Sequence, residues 1–388
     1  MTSVNQRHPE SSSPDLILRS LSEIKMGLCV SKQSVAGSPE PAAYDGEELP
    51  RASTVSSFES VMSPQSPELS ALRVSLGTRP DRLRRCGDES LEQHQIQQVA
   101  YHMGAYVVGD EVTSPTRLAT AGQTVNDVRL ILKHGRGNVK ADDIPSQGHN
   151  GIGSSVAKSA ADAHSKLAVG VVMGAAVCDQ SAPLCAILHA PHMAVNERSV
   201  TAEASVPMKE ITDDGNEIPV KAGHIWNELR RGRRDPRSTV VMDAWANGPA
   251  VRLKDSAWSG KPAEEGRWSM KKSSAESLKN RLEGLIPLVH PDEDQHTAKM
   301  LRYHQKKPTA WEKYAEPQVI SSTFADKVRN VLVHVPESQQ RDIASRMIRE
   351  TYGMNPQSQA HQDAVESVLE AVNQLDSLPR PPVVPPGC

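Results

Sequence analysis

The segment Ala-Val-Cys-Asp-Gln-Ser-Ala, residues 176–182, follows an apolar run and precedes Pro183 and a second apolar run, residues 184–188. Polar residues and a proline just before apolar residues are typical of the first turn of a helix. The sequence therefore places Cys178 at a helix N-terminus. Unsatisfied N–H groups and the positive end of the helix dipole favour a thiolate there, so we expect a reactive thiol.

A histidine and an aspartate follow on two predicted strands. His224 lies in Gly-His-Ile-Trp-Asn-Glu-Leu (223–229), and Asp243 lies in Val-Val-Met-Asp-Ala-Trp (240–245). The segment between them, 230–237, is rich in arginine, glycine and proline, which is typical of a hairpin connection. Adjacent antiparallel strands can bring an imidazole within hydrogen-bonding distance of a carboxylate. We therefore expect Asp243 to orient His224, and the helix that begins at Cys178 to pack on this sheet.

Each of the three residues alone has a more ordinary interpretation. A cysteine after an apolar run is usually a buried, inert thiol, and a lone histidine or aspartate near a strand end is usually a hydrogen-bonded structural group. The order of the three residues, their spacing and the tryptophans beside them favour a common catalytic role.

The motifs also resemble a known superfamily. A cysteine with a small-residue helix, His-x-Trp-x-Glu on one strand and Val-Met-Asp-x-Trp on the next are similar to the transglutaminase and peptide N-glycanase superfamily of papain-like Cys-His-Asp enzymes. Within it, the chain most resembles the HopX/AvrPphE (XopE-type) family of type III secreted effectors of plant-pathogenic bacteria, over roughly residues 90–270. The resemblance implies a catalytic triad of Cys178, His224 and Asp243.

The resemblance further implies secretion into a host cell, with a bacterial secretion apparatus or chaperone and a host protein substrate as partners. The expected chemistry is acyl transfer from a carboxamide or peptide carbonyl, so the chain would be a transglutaminase, a cysteine protease or a deamidase. The side-chain donor to the oxyanion is not assigned. The alternative is a catalytically inactive, membrane-tethered effector that acts by binding a host partner.

A lipidation motif occurs near the start of the chain. Met-Gly-Leu-Cys-Val-Ser-Lys, residues 26–32, fits the N-myristoylation pattern if translation begins at Met26. Gly27 would then carry myristate and Cys29 a second acyl chain, which together give stable anchoring at the host plasma membrane. If translation begins at Met1, Gly27 has no free amine and carries no lipid.

Composition limits the other function classes. The net charge of −3 and the aromatic content of 3% do not favour nucleic-acid binding. Five cysteines without paired spacing indicate a reducing compartment. Cys185, His189 and His192 share one face of the cysteine helix, but no fourth ligand follows at suitable spacing, so we expect no metal site. We also expect no cofactor.

The sequence predicts an α+β fold, with a papain-like or transglutaminase-like core in which the cysteine helix packs on an antiparallel sheet. We divide the chain into a disordered secretion and targeting segment (1–87), a catalytic domain (88–270), a helical extension (271–378) and a flexible tail (379–388). The predicted strands are 199–206, 223–229, 238–243 and 249–253, and the arginine-rich connection is interpreted as a solvated loop.

Overall fold

The computed structural model describes residues 89–289, 295–307 and 311–385. The predicted segment 1–87, with Gly27 and Cys29, lies outside them. The described residues contain ten α-helices: α1 (Gln93–Val107), α2 (Pro115–Ile131), α3 (His149–Lys158), α4 (Ala163–Val172), α5 (Cys178–His189), α6 (Lys272–Leu285), α7 (Gln295–Lys306), α8 (Ser322–Leu332), α9 (Glu337–Tyr352) and α10 (Gln359–Asn373).

Seven strands form two sheets in the described residues: β1 (Gly135–Arg136), β2 (Ala175–Ala176), β3 (Arg198–Ile211), β4 (Glu217–Arg230), β5 (Val240–Met242), β6 (Val251–Arg252) and β7 (Glu264–Lys271). β1 and β2 make a short parallel pair. The other five strands form an antiparallel sheet in the order β6-β5-β4-β3-β7. The fold is thus mixed α/β with an antiparallel sheet, as predicted.

The hairpin of β3 and β4 forms the face of the sheet that carries His224. Side chains alternate between faces along a strand, so Ala202 and Ala204 of β3 lie beside Trp226 and His224 of β4, their partners in the register. The alanines leave room for α5, which packs on β3 and β4. His224 thus lies with these three buried side chains on the hairpin against which the cysteine helix packs.

The C-terminal helices share a hydrophobic core with the region that contains Cys178, His224 and Asp243. Helices α8, α9 and α10 all pack against α1, and the rings of Tyr101 and Phe324 lie 5.7 Å apart. Their buried apolar side chains belong to the same hydrophobic cluster as those of α5 and the sheet. No helix in the described ranges is long and apolar enough to cross a membrane.

Several sequence predictions are confirmed. A helix begins at Cys178, and the predicted strands around His224 and Asp243 pair antiparallel as β4 and β5. Two helix predictions from the periodicity of apolar residues are wrong. That pattern predicts a helix with Gly135 as its C-cap, but Gly135 lies in β1 with φ +88°, beyond the end of α2. The pattern also predicts one helix from the Gly148 segment through Lys166, but the structure has two helices there, because Asp162 accepts hydrogen bonds from two backbone N–H groups and starts α4.

A buried histidine makes the stability of this fold depend on pH. His102 of α1 is buried against α9: Gln98 of α1 donates to its Nε2 (3.2 Å), and Thr351 of α9 lies 3.3 Å from its Nδ1. Burial, together with the charge of Arg252, lowers the pKa of His102 to about 3. Below the ordinary pKa of about 6.5, the unfolded chain binds a proton that the folded chain does not, so stability falls as the pH drops.

We expect His102→Gln to remove this pH dependence. Between about pH 6 and about pH 5, the free energy of unfolding of the wild type should fall by up to about 1.4 kcal/mol more than that of His102→Gln. Urea unfolding at each pH measures the difference, with His334→Gln at an exposed position as the control. If the free energies of unfolding of wild type and His102→Gln differ by the same amount at both pH values, His102 is not the source of the pH dependence.

Candidate active site

Cys178 is the first residue of α5. Val177 before it is extended, with φ −108° and ψ −177°, and its backbone N–H donates to the side-chain oxygen of Gln180 at 2.9 Å. This bond closes the first turn, because Gln180 is the third helical residue. The Cys178 side chain is buried, with 7% of the residue exposed. The thiol therefore lies at the helix N-terminus, as the sequence predicts.

His224 and Asp243 form a buried hydrogen bond. His224 Nε2 lies 2.7 Å from Asp243 Oδ2, and Trp258 Nε1 donates to the same oxygen at 3.0 Å. Oδ1 accepts from the backbone N–H groups of Trp245 (3.0 Å) and Ala246 (3.1 Å). Burial raises the pKa of Asp243, but the charge of His224 and these hydrogen bonds outweigh it and hold that pKa below its ordinary value. Asp243 is an ionised acceptor.

An ionised carboxylate fixes the tautomer of His224. Because Asp243 can only accept, Nε2 of the imidazole must carry the proton, which leaves Nδ1 as the basic nitrogen. Nδ1 is buried and has no hydrogen-bond partner among the described residues. The ring is held by tryptophans at centroid distances of 4.6 Å (Trp258), 4.9 Å (Trp245) and 5.7 Å (Trp226).

The structure brings all three predicted residues to one region. Helix α5, which begins at Cys178, packs on the strand that carries His224. Cys178 also belongs to a small buried cluster with Val139, Trp245 and Tyr314, and Trp245 is one of the rings that flank the imidazole. Thiol, imidazole and carboxylate thus lie among one group of buried side chains, and the imidazole and the carboxylate are joined by the 2.7 Å hydrogen bond.

Three arginines, of which Arg129 and Arg136 are buried, hold the loop that carries Asp243. This loop, residues 243–248, points carbonyl oxygens inward. Arg129 of α2 donates to Ala246 O (2.5 Å) and to the carbonyl of residue 248 (2.7 Å). Arg136 of β1 donates to Trp245 O at 2.9 Å. Burial lowers the pKa of Arg129 to about 10, so it stays charged at neutral pH.

The third arginine comes from the C-terminal segment. Arg380 donates to Ala244 O at 2.7 Å, and burial places its pKa well below the ordinary value. The same segment is held at Pro379 O, which accepts from Gln97 (2.7 Å), and at Val384, whose N–H donates to Lys133 O (2.8 Å). The first residues of the predicted flexible tail are therefore packed behind the candidate site.

Asn138 is a site residue that the sequence analysis missed. It follows β1, whose Arg136 lies opposite Ala176 of β2, and Ala176 is two residues before Cys178. Trp245 Nε1 donates to Asn138 Oδ1 at 2.9 Å. Because an indole nitrogen only donates, this bond fixes the amide and turns its NH₂ group away from Trp245. No motif in the sequence marks Asn138.

The predicted metal candidates make other contacts. Cys185 is completely buried, and burial, followed by the charge of Asp243, raises its pKa to about 12. His189 Nδ1 lies 2.9 Å from the Thr124 hydroxyl, and the ring of His192 lies 5.6 Å from that of His189. Across the described ranges, no group of three or more potential ligands could hold a metal ion.

The arginine-rich connection is only partly the solvated loop that we predicted. Arg230 is buried and donates to Glu228 at 2.8 Å. Arg234 donates to the same carboxylate at 2.9 Å. The wholly buried Glu228 also accepts from Trp226 Nε1 at 2.9 Å. A buried carboxylate needs such partners, so these two arginines support the strand that carries His224.

Comparisons of the chain with models of known protein families, with curated proteins and with solved structures find no significant match.

The different environments of the two α5 cysteines predict different reactivity. Iodoacetamide should modify Cys178 before Cys185 between about pH 6 and pH 8, because Cys185 is completely buried and its pKa is raised. If His224 is the base for this thiol, His224→Ala should slow the Cys178 reaction roughly tenfold near pH 6. Peptide mapping by mass spectrometry gives both rates. Equal alkylation rates for the two cysteines, or a Cys178 rate that His224→Ala does not change, would exclude an activated thiol.

Proposed function

We propose that this chain is a Cys-His-Asp acyl-transfer enzyme with a papain-like or transglutaminase-like core. The observation that carries the proposal is the buried His224–Asp243 hydrogen bond of 2.7 Å, with the basic Nδ1 of the same imidazole left without a partner in the described part of the chain. A histidine buried for structural reasons alone usually has both ring nitrogens hydrogen-bonded. The candidate nucleophile Cys178 belongs to the cluster that contains Trp245, a neighbour of that ring.

The reaction follows from the roles of the three groups. Cys178 gives its proton to Nδ1 of His224, and its sulfur forms a bond to the carbonyl carbon of a carboxamide or peptide. The C–N bond breaks, and the amine or ammonia leaves with the proton from His224. A primary amine or water then attacks the thioester and restores the thiol. Asp243 stabilises the imidazole while it carries the extra proton.

Two donors are available for the oxyanion of the tetrahedral intermediate. The backbone N–H of Cys178 lies at the start of α5, where no intrahelical acceptor exists. The side-chain NH₂ of Asn138, held by Trp245 Nε1 at 2.9 Å, is the second. We infer that Asn138 fills the role for which the sequence offered no residue.

The resemblance to HopX/AvrPphE effectors supports the cellular setting of the proposal. In that setting the chain is a virulence protein, secreted through a type III apparatus, and its substrate is a host protein. Gly27 and Cys29 would hold it at the host plasma membrane after a start at Met26.

A second candidate is an inactive effector that only binds a host partner. It is favoured by one observation: Cys178 is only 7% exposed and lies in one cluster with the ring of Tyr314. The two functions differ in what Cys178→Ala does, because a binding protein keeps its effect on the host without the thiol.

The catalytic proposal predicts that Cys178→Ala, His224→Ala and Asp243→Ala each lower activity by roughly 10³-fold or more, and that double variants are hardly worse than single ones. Amine incorporation and deamidation in host lysate, followed by mass spectrometry, measure the activity. Cys185→Ala is the matched control and should retain it.

The same assay tests the oxyanion donor. Asn138→Ala should lower kcat by roughly 10²-fold with little change in KM, because the lost hydrogen bond forms only in the transition state.

Full activity in folded Cys178→Ala would end the catalytic proposal.

The anchoring proposal concerns a chain that begins at Met26. It should fractionate with plasma membrane, Gly27→Ala should release it to the soluble fraction, and Cys29→Ala should weaken binding without abolishing it, since one acyl chain holds a membrane only marginally. A chain that begins at Met1 is the control and should carry no myristate. Recovery of the Met26 chain in the soluble fraction, or membrane fractionation that Gly27→Ala does not change, would refute anchoring.

A further inference from the structure

Residues 311–316, Trp-Glu-Lys-Tyr-Ala-Glu, form an extended segment beside the candidate nucleophile, which we name the covering segment. Its backbone forms hydrogen bonds to a different part of the protein on each of its two edges. On one side, Tyr314 N donates to Asn138 O (2.9 Å) and Tyr314 O accepts from Lys140 N (3.0 Å). On the other side, residue 315 N donates to the carbonyl of residue 209 (2.8 Å), and the carbonyl of residue 313 accepts from residue 211 N (2.7 Å).

These bonds define a groove with two strand-like walls, residues 138–140 and residues 209–211 of β3. An extended chain between them satisfies main-chain groups on both of its edges. Binding of this kind recognises the backbone and does not depend on the sequence of the bound chain. Any extended polypeptide of three or more residues could therefore make the same four hydrogen bonds.

The side chain of Tyr314 lies where the groove meets the nucleophile. Its ring belongs to the buried cluster of Cys178, Val139 and Trp245, at a centroid distance of 6.4 Å from Trp245. Its hydroxyl donates to Glu312 in the same segment, at 2.6 Å. Within the described residues, this hydroxyl has no hydrogen bond outside the covering segment. The ring alone therefore makes the contact with the cluster that contains Cys178.

Neighbouring side chains anchor the covering segment at polar positions of the groove. Lys313 Nζ donates to the carbonyl of residue 137 (2.8 Å) and lies 2.6 Å from Asp143 Oδ1. Trp311 Nε1 donates to the Ser155 hydroxyl at 3.0 Å. The groove thus provides a carboxylate for a cationic side chain, followed by an apolar wall for the next residue.

We propose that the covering segment occupies the binding groove of an extended polypeptide substrate, and that it must leave the groove before the substrate can reach Cys178. This inference rests on the proposed acyl transfer. The chain is self-occluded, and the preferred polypeptide carries a basic residue at the position of Lys313. The apolar surface around Val139 and Trp245 receives the side chain that follows.

The same geometry bears on which carbonyl reacts. The main-chain carbonyls of residues 313 and 314 accept hydrogen bonds from the two walls, whereas the side chain of Tyr314 lies in the thiol cluster. A polypeptide bound in this way presents a side chain to Cys178. A glutamine there would form the thioester and release ammonia, and water or a primary amine would then take up the acyl group.

Alkylation of Cys178 in the full chain tests the occlusion without any assumption about substrate. Tyr314→Ala should raise the rate with iodoacetamide roughly tenfold, because the ring no longer covers the thiol. Lys313→Ala, which removes an anchor but keeps the ring, should raise it to a smaller extent and guards against misfolding of the first variant. Tyr303→Ala, at a tyrosine with 53% exposure on α7, is the control. An unchanged Cys178 rate in both folded variants would overturn the proposal.

A peptide of sequence 311–316 tests the groove directly. Added to the Tyr314→Ala chain, it should protect Cys178 from alkylation in a concentration-dependent way, and a scrambled peptide should not. No protection by either peptide, or equal protection by both, would also overturn the proposal that the covering segment occupies a binding groove.

The peptide with the Tyr314→Gln replacement separates this proposal from the enzymatic one. Protection together with conversion of that glutamine to glutamate, or its coupling to an added amine, supports both. Protection without any reaction supports the groove and contradicts acyl transfer from a side chain. Reaction of the glutamine without protection by the original peptide contradicts the groove alone.

Discussion

The buried carboxylate of Asp243 is the constraint that the rest of the site satisfies. Moving a carboxylate out of water costs several kcal/mol unless hydrogen bonds and opposite charge compensate. Here two backbone N–H groups, one indole N–H and one imidazole surround it. The loop that supplies the backbone donors needs a fixed conformation, and the guanidinium groups of Arg129, Arg136 and Arg380 hold its carbonyls in place. The orientation of His224 thus depends on arginines that are distant from it in sequence.

This support connects distant parts of the chain to the site. Arg129 comes from α2, Arg136 from β1 and Arg380 from beyond α10, after helices that pack on α1. The covering segment with Tyr314 lies between α7 and α8 and reaches the other side of the same site. The C-terminal third therefore contributes Arg380 to the support of the loop that carries Asp243 and Tyr314 to the cluster that contains Cys178, in addition to its part in the shared core.

Local patterns were enough to predict the helix that starts at Cys178 and the β4–β5 pairing, because a helix start and a hairpin are encoded within a few residues. They did not reveal Asn138 or the three arginines, since these reach the site through long-range contacts that leave no local spacing. β7 was missed because its glutamate, glycine and lysine residues are depleted in strands. The packed residues 379–385 look flexible in sequence for a similar reason: prolines exclude helix and strand, but they do not prevent an extended segment from binding to a surface.

The most direct measurement of the central claim is acyl-enzyme formation with a small activated ester, p-nitrophenyl acetate. If Cys178 is a nucleophile that His224 activates as a base, and if Asp243 orients that base, the chain should release about one equivalent of nitrophenol in a rapid burst. Mass spectrometry should place a hydroxylamine-labile acetyl group on Cys178, and the His224→Ala chain should show neither. Release without a burst, or an acetyl group elsewhere while Cys178 stays unmodified, would contradict the claim.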